Sequence, residues 1–417
     1  MAGRRVVVTG LGALTPIGNT KEEYWQGLCS GRSGAAPITR FDASKFKTQF
    51  ACELKGLDPL QFLDRKEARK LDSFVQYALI CATEAVEDAG LAQAGSVDPD
   101  RAGVIWASGI GGLDTLIQEI SEFALGDGTP RFNPFFIPKV IIDIAAGHIS
   151  IKFGFRGPNF ATVSACASST HSMIDAFNCI RDGRADVIVT GGSEAAVNVA
   201  GIGGFNAMHA LSTRNDSPTT ASRPFDKERD GFVLGEGAGA LVLEELEHAK
   251  ARGAHIYAEL AGGAFSADAH HITAPHPEGL GASGVMRLAL QDAGMNPEEV
   301  DYINVHGTST PLGDIAEVVA IKKVFGDHAY NLNISSTKSM TGHLLGAAGA
   351  IETIACVLAV QHGIVPPTIN HFTDDPEIDP NLNLTFHTAQ HRNIRAALCN
   401  TFGFGGHNAS VIVKKFD

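Results

Sequence analysis

The two halves of this chain repeat one order of strands and helices, and that repeat limits the folds open to it. In the first half a β-branched run, Arg5 to Gly10, precedes helical spacing at Lys21 to Ser30 and Arg65 to Gly90, then a strand at Arg101 to Ala107. A strand at Asn159 to Val163 enters a helix at Cys166 to Arg181, and strands follow at Ala185 to Thr190 and Ala238 to Leu243. The second half runs through a strand at His255 to Gly262, a helix at Gly281 to Gly294 and a strand at Val300 to Val305. Leu332 to Ser335, a helix at Gly346 to Gln361, and strands at 394–401 and 409–415 complete it. Helices ending in Asp88-Ala89-Gly90 and Asp292-Ala293-Gly294 share a tripeptide, whose glycine closes a helix. Short buried strands bounded by glycine and alternating with helices predict mixed sheets covered by helices. Segment 110–160 has no counterpart in the second half and reads as an insertion suited to a lid or a subunit contact. The expected halves are residues 1–254 and 255–417.

Composition narrows the function classes. Lys and Arg total 33 against 46 Asp and Glu, a net charge of −13, which argues against nucleic-acid binding. The seven cysteines are scattered without a CxxC pair, so neither a disulfide framework nor a zinc site is expected. Reduced thiols point to the cytoplasm. No secretory leader is apparent in Met1 to Gly12. The most apolar stretch, Leu344 to Val360, carries Glu352 and is short for a membrane span, so it reads as a buried helix. Gly109 to Gly112 lacks the spacing of a dinucleotide fold, and adjacent His270 and His271 in a strand would point apart, so neither nucleotide nor metal is expected.

Three motifs carry chemistry at equivalent strand ends. Cys166 lies among small residues (Ser164 to Ser169) at a strand-to-helix junction, where the helix dipole favours a thiolate and free amides can hold an oxyanion. His306 follows a buried strand, ahead of Thr310 and Pro311, a good helix start. His343 sits between another strand and a helix. The repeat would bring all three to one pocket at the carboxyl edge of the strands. Lys338 and Glu352 are charges beside buried elements: they pair, or Glu352 orients a catalytic group, or both are surface residues. Asn400 to Asn408, rich in glycine and phenylalanine, is a loop with exposed amides or an ordinary hairpin turn.

These blocks resemble the β-ketoacyl-[acyl-carrier-protein] synthases, condensing enzymes of the thiolase superfamily, and most closely the type II elongating synthases. The resemblance spans Val6 to the last strand. It rests on Val163 to Thr170, Arg223 to Asp226 with Asp230 to Phe232, His306 to Asp314, Lys338 to Gly349, and Asn400 to Asn408, in that order. It implies a five-layered α-β-α-β-α thiolase fold and a homodimer. A Cys-His-His set is distinct from the second cysteine of thiolases and from the Cys-His-Asn set of initiating synthases.

In the roles the resemblance implies, Cys166 takes the acyl chain as a thioester, and the amides of Cys166 and Phe404 form the oxyanion hole, with Phe404 also a gate. His306 and His343 bind the malonyl thioester and promote decarboxylation, supported by Lys338 and Glu352. Ile110, Phe135 and Phe205 would line the acyl pocket, and Thr273, Thr308 and Thr310 the pantetheine arm. Lys66, Arg69 and Lys70 would share a helix face that docks the acyl carrier protein. No cofactor is implied, because the 4'-phosphopantetheine arrives on the carrier, and neither is a membrane partner. His209 stands where the family often has arginine. Rival readings are a polyketide-type ketosynthase and a non-catalytic chain-length partner; the presence of Cys166 argues against the second.

Overall fold

A computed structural model describes residues 3–93 and 95–416. Ten strands form the main sheet system: β1 (Val6–Leu14), β2 (Ala102–Ala107), β3 (Asn159–Thr162), β4 (Val187–Glu194), β5 (Gly237–Glu245), β6 (Ala258–Ala267), β7 (Tyr302–Asn304), β8 (Asn333–Ser335), β9 (Ala396–Gly403) and β10 (His407–Lys414). The first half pairs in the order β3-β2-β4-β5-β1 and the second in the order β8-β7-β9-β10-β6. In each half the first three strands of that order are parallel, and the last-formed strand, β5 or β10, runs antiparallel to its neighbours. Among the described residues the two sheets meet only where Val6–Val8 pair with Ala258–Leu260.

Five helices build the layers: α1 (Ser73–Asp88), α2 (Ser168–Arg181), α3 (Leu280–Ala293), α4 (Pro311–Phe325) and α5 (Ala348–His362). α2 and α5 pack against each other and against strands of both sheets. α1 covers the outer face of the first sheet, and α3 that of the second. The stack is therefore helix, sheet, helix, sheet, helix, the thiolase-like architecture expected. α5 belongs to the central layer, and every residue from Ala348 to Val360 is buried, as a helix apolar all round must be. Leu345–His362 is the one described helix long and apolar enough to cross a membrane, and 89% of it lies inside the protein.

The repeated tripeptide has a physical cause. Ala89 meets Gly10 of β1, and Ala293 meets Gly262 of β6, so close that an added Cβ would stand 2.8 and 2.9 Å from the alanine Cβ atoms. Asp88 accepts the Leu11 N–H at 2.9 Å, and Asp292 accepts that of Gly263 at 3.1 Å. The glycines that follow, Gly90 and Gly294, turn the chain at φ 70° and 63°.

Two expectations are corrected. Arg65 to Gly90 is not one helix: Arg65–Ala68 is a single turn, and Asp72 caps α1 separately by accepting the Phe74 N–H. Nor is the segment after β2 without a counterpart, because α4 occupies the same place in the second half. The first half has three helices there, Leu113–Leu125, Phe136–Val140 and Ile144–Phe153, so the excess is local.

Candidate active site

β3 leads into Ser164, and the backbone then bends sharply: Ala165 adopts φ 50°, and Ala165–Ala167 form a tight 3-10 turn before α2. A non-glycine residue in that region is strained by about 1–3 kcal/mol. The Ser168 hydroxyl clamps the bend, accepting the Ser164 N–H at 2.8 Å and donating to the Ala165 carbonyl at 2.6 Å. The same elbow recurs before α5, with Leu345 at φ 48° and Gly346 in the place of Cys166. The Cys166 side chain is thus presented at the end of a strand, in a site where small neighbours leave room.

His306 follows β7. Its N–H and that of Gly307 donate to the two carboxylate oxygens of Glu317 on α4, at 2.9 and 2.8 Å. His343 is bracketed by the strand-like segment 233–235: its N–H donates to Val233, and its carbonyl accepts from Gly235. The edge of Phe232 packs on its ring, centroids 5.3 Å apart. His343 Nε2 lies 3.0 Å from Cys166 Sγ, and the two imidazoles meet at 86° with centroids 5.3 Å apart. Ligand atoms of all three residues fall within 4.8 Å of one another, and among the described residues they are the one such three-residue set. A metal held there would occupy the nucleophile, so the chemistry of the set favours catalysis.

The loop between β9 and β10 closes over the elbow. An added Cβ at Gly403 would stand 2.6 Å from the Ser164 carbonyl and 3.1 Å from the Cys166 nitrogen, so only glycine allows this approach. The backbone N–H groups of Phe404 and Cys166 consequently reach the sulfur and favour its anion. The loop is tied to the segment after β6: Gly405 N–H donates to Ile272 and Asp268 N–H to Gly406.

Burial dominates the electrostatics. It pushes the Cys166 thiol up to about 12, outweighing the Lys338 charge and the two amides. The expected dipole-stabilised thiolate is therefore corrected: the thiol is neutral at rest, hydrogen-bonded to His343. Burial first, and the Lys338 charge second, hold His306 and His343 well below the ordinary imidazole range, so both rings are neutral. Lys338 and Glu352 are buried and paired with each other, which settles the open choice against the surface. Burial raises the Glu352 carboxyl and the Lys338 ammonium draws it back. Burial likewise pushes Glu317 up to about 7.

A cavity of about 500 Å³ opens on Cys166, His306, His343, Phe404 and Phe205, with Thr273, Thr308, Thr310 and His209 also in its wall. That volume suits a drug-sized or acyl ligand. Two expected pocket residues, Ile110 and Phe135, are not brought there: they are 37% and 43% exposed and lie outside the cavity wall. Lys66 and Arg69 are exposed and do not line it, while Lys70 pairs with Glu67 at 2.7 Å and sits over the Phe135 ring. His270 and His271 lie in a loop past β6, not in a strand. Glu317 and Glu194 escaped the sequence reading. Glu194 accepts the N–H groups of Gly109, Ile110 and Gly346, joining the loop after β2 to the second elbow.

A thiolase-like scaffold that converges cysteine and two neutral histidines on one cavity defines a condensing enzyme of the acyltransferase type. The chain belongs to the β-ketoacyl synthase family: the family's N-terminal domain matches residues 3–249 and its C-terminal domain residues 257–372. It is 51% identical over 415 residues to "3-oxoacyl-[acyl-carrier-protein] synthase 2" of Synechocystis sp., covering 99% of this chain and 98% of that one. The protein of the same description in Coxiella burnetii is 50% identical, covering 100% and 99%. A β-ketoacyl synthase structure from Burkholderia phymatum superposes with TM-score 0.92 at 34% identity, covering 99% and 100%. A type II polyketide ketosynthase solved with its acyl-carrier protein superposes with TM-score 0.90 at 36% identity, covering all of both chains. The chain's reaction is the condensation that elongates fatty acyl chains as 3-oxoacyl thioesters.

Proposed function

We propose that Cys166, His306 and His343 carry this condensation in two stages on carrier-bound substrates. The observation that carries the assignment is the 3.0 Å approach of His343 Nε2 to Cys166 Sγ inside a cavity that His306 also faces. In the first stage the thiol proton leaves toward His343, and sulfur attacks the acyl carbonyl. The Cys166 and Phe404 amides hold the oxyanion, and the carrier thiol departs with the proton. Once sulfur is acylated, the neutral His343 ring no longer accepts from the thiol and, in the tautomer that carries its proton on Nε2, donates there instead. In the second stage malonyl thioester loses carbon dioxide, and its enolate oxygen is held by N–H donors from His306 and His343. The enolate carbon attacks the acyl-Cys166 carbonyl, and the cysteine sulfur leaves and is reprotonated. No cofactor enters this scheme.

The partner is an acyl carrier protein whose pantetheine arm lies against Thr273, Thr308 and Thr310. Thr308 and Thr310 hydroxyls stand 3.1 Å apart in the wall. Docking rests on the local cations Lys66 and Arg69, with Lys70 partly spent on Glu67. Phe205 and Phe232, 5.3 Å apart, supply apolar wall for the acyl chain. A homodimer is supported by β3, which among the described residues pairs on one edge only and exposes Phe160, with Val163 exposed just after it. The protein works in the cytoplasm. A polyketide role is less supported, because the 3-oxoacyl-[acyl-carrier-protein] synthase relatives are 50–51% identical and the type II polyketide ketosynthase structure 36%.

The test is incubation with acyl carrier proteins of graded chain length, read by intact mass. One acyl adduct that maps to Cys166 is expected; an adduct elsewhere overturns the assignment.

A further inference from the structure

The second elbow repeats the first in its backbone and differs in what stands against it. At the first, Gly403 ends β9 and approaches the Cys166 nitrogen without a side chain. At the second, Glu194 ends β4 and sends its carboxylate to the Gly346 N–H, the equivalent of the Cys166 amide. Glu194 Oε2 accepts that N–H at 2.9 Å and the Gly109 N–H at 2.8 Å. Oε1 accepts the Ile110 N–H at 3.1 Å and the Ser108 hydroxyl at 3.0 Å. Two amides converging on one oxygen have the geometry of an oxyanion hole. Gly346 also leads into the N-terminus of α5, whose dipole favours an anion. The place that a second nucleophile would need is taken: an added Cβ at Gly346 would collide with the Gly109 nitrogen and stand 2.8 Å from Glu194 Oε2.

Glu194 is fully buried, and among the described residues it forms no ion pair, unlike Glu352 with Lys338. All four of its partners donate to it, which is the set an ionised carboxylate requires. A buried charge without a counter-ion is costly, and the condensation chemistry does not use this one. What it grips, however, borders the catalytic cavity. Leu345, at φ 48° immediately before Gly346, lines the cavity wall. It shares one apolar cluster with Cys166 and Phe232, against which Phe205 packs. A residue with a Cβ keeps such a backbone conformation only where its surroundings hold it. The Glu194 carboxylate holds the very next amide.

We propose that Glu194 is a positioning residue for acyl-chain selection: its carboxylate permanently fills the anion hole of the second elbow and thereby fixes Leu345 in the apolar wall beside Cys166. The proposal rests on the reading above that Cys166 takes the acyl chain. Without the carboxylate the elbow relaxes and Leu345 leaves the wall. A long acyl tail loses that wall, whereas a two-carbon acyl group ends beside the sulfur and does not reach it.

The experiment acylates Cys166 with octanoyl-pantetheine and with acetyl-pantetheine and reads both rates by intact mass. The octanoyl-to-acetyl ratio is compared between proteins, so a general loss of activity cancels. Glu194→Gln keeps the shape but turns an amide NH2 toward amide donors. It should lower the ratio about tenfold, and Leu345→Ala should lower it to a similar degree. With both substitutions together the ratio should fall no further than with Leu345→Ala alone, because Glu194 acts through Leu345. Ser108→Ala removes one donor and leaves the carboxylate. It should lower the ratio about threefold, and it decides the matter if Glu194→Gln does not fold. An unchanged ratio in Glu194→Gln, or in Ser108→Ala where that variant decides, overturns the proposal, as do additive effects of Glu194→Gln and Leu345→Ala. A wild-type protein that gains no acyl adduct on Cys166 from either thioester would instead overturn the acyl-cysteine reading, and this inference with it.

Discussion

The proposed division of the reaction between Cys166 and its two histidines predicts which step each substitution damages. His306→Ala and His343→Ala should lower malonyl decarboxylation by about a hundredfold or more, because each removes a donor to the enolate. Acyl transfer to Cys166 should survive better in His306→Ala than in His343→Ala, since only His343 touches the sulfur in the resting site. Carbon dioxide release and acyl-enzyme mass separate the two steps. Equal loss of both in His306→Ala would contradict the assignment. The thiol carries its own pH signature. A folded thiol pushed up to about 12 is protonated at neutral pH, so iodoacetamide labelling of Cys166 should keep rising from about pH 7 to about pH 9. Lys338→Ala removes the cation that opposes burial and should slow labelling at every pH. A plateau near neutrality would show a thiolate instead. Sequence located these residues because each stands just past a buried strand among small residues. It did not show how deep they lie, and depth reverses the thiol's charge state. It also passed over Glu317, because a glutamate inside a helix that follows Pro311 reads as solvated surface until the fold turns it onto the His306 loop.

At the scale of elements, the site depends on two strand-to-helix elbows and on a hairpin that presses on one of them. The hairpin supplies the Phe404 amide only because Gly403 has no side chain. Gly403→Ala places a Cβ 2.6 Å from the Ser164 carbonyl and must push the loop outward. Acyl transfer should fall by about a hundredfold, the cost of losing one oxyanion donor, while the circular-dichroism melt shifts little. Unchanged acylation in Gly403→Ala would remove Phe404 from the oxyanion hole. The repeat was legible in the two Asp-Ala-Gly helix ends, because every residue of the tripeptide is constrained there. The aspartate accepts a strand amide, the alanine packs on a strand glycine, and the glycine turns the chain. The break between Arg65–Ala68 and α1 was not legible, because apolar spacing continues through it and only the Asp72 cap marks it. With the break, the face argued for Lys66, Arg69 and Lys70 shrinks to a single turn and its capping residue.

For the whole molecule, the acidic surplus sets the terms of association. A chain at −13 repels any acidic partner at long range, so the proposed docking, if the carrier is acidic as the family resemblance implies, would rest on a local cationic patch and weaken with salt. Lys66→Glu with Arg69→Glu should raise the apparent KM for carrier substrates by about fivefold and leave a small pantetheine thioester nearly unaffected. An unchanged KM would move the docking surface elsewhere. The stacked halves explain why motifs nearly 180 positions apart share a site: the central helices α2 and α5 begin side by side, and the elbows ahead of them meet. The repeated strand order foretold mixed sheets covered by helices, and the five layers were implied by the family resemblance. The positions of Ile110 and Phe135 were not foretold, because an apolar residue in the insertion has no sequence mark for which surface it faces. The most direct test of the account supplies octanoyl- and malonyl-carrier protein together and follows carbon dioxide and the thioester product. It should show one carbon dioxide released for each 3-oxodecanoyl thioester formed, and no 3-oxodecanoyl thioester above background with Cys166→Ala. Elongation by the Cys166→Ala protein at the wild-type rate, or none by the wild-type protein, would contradict it.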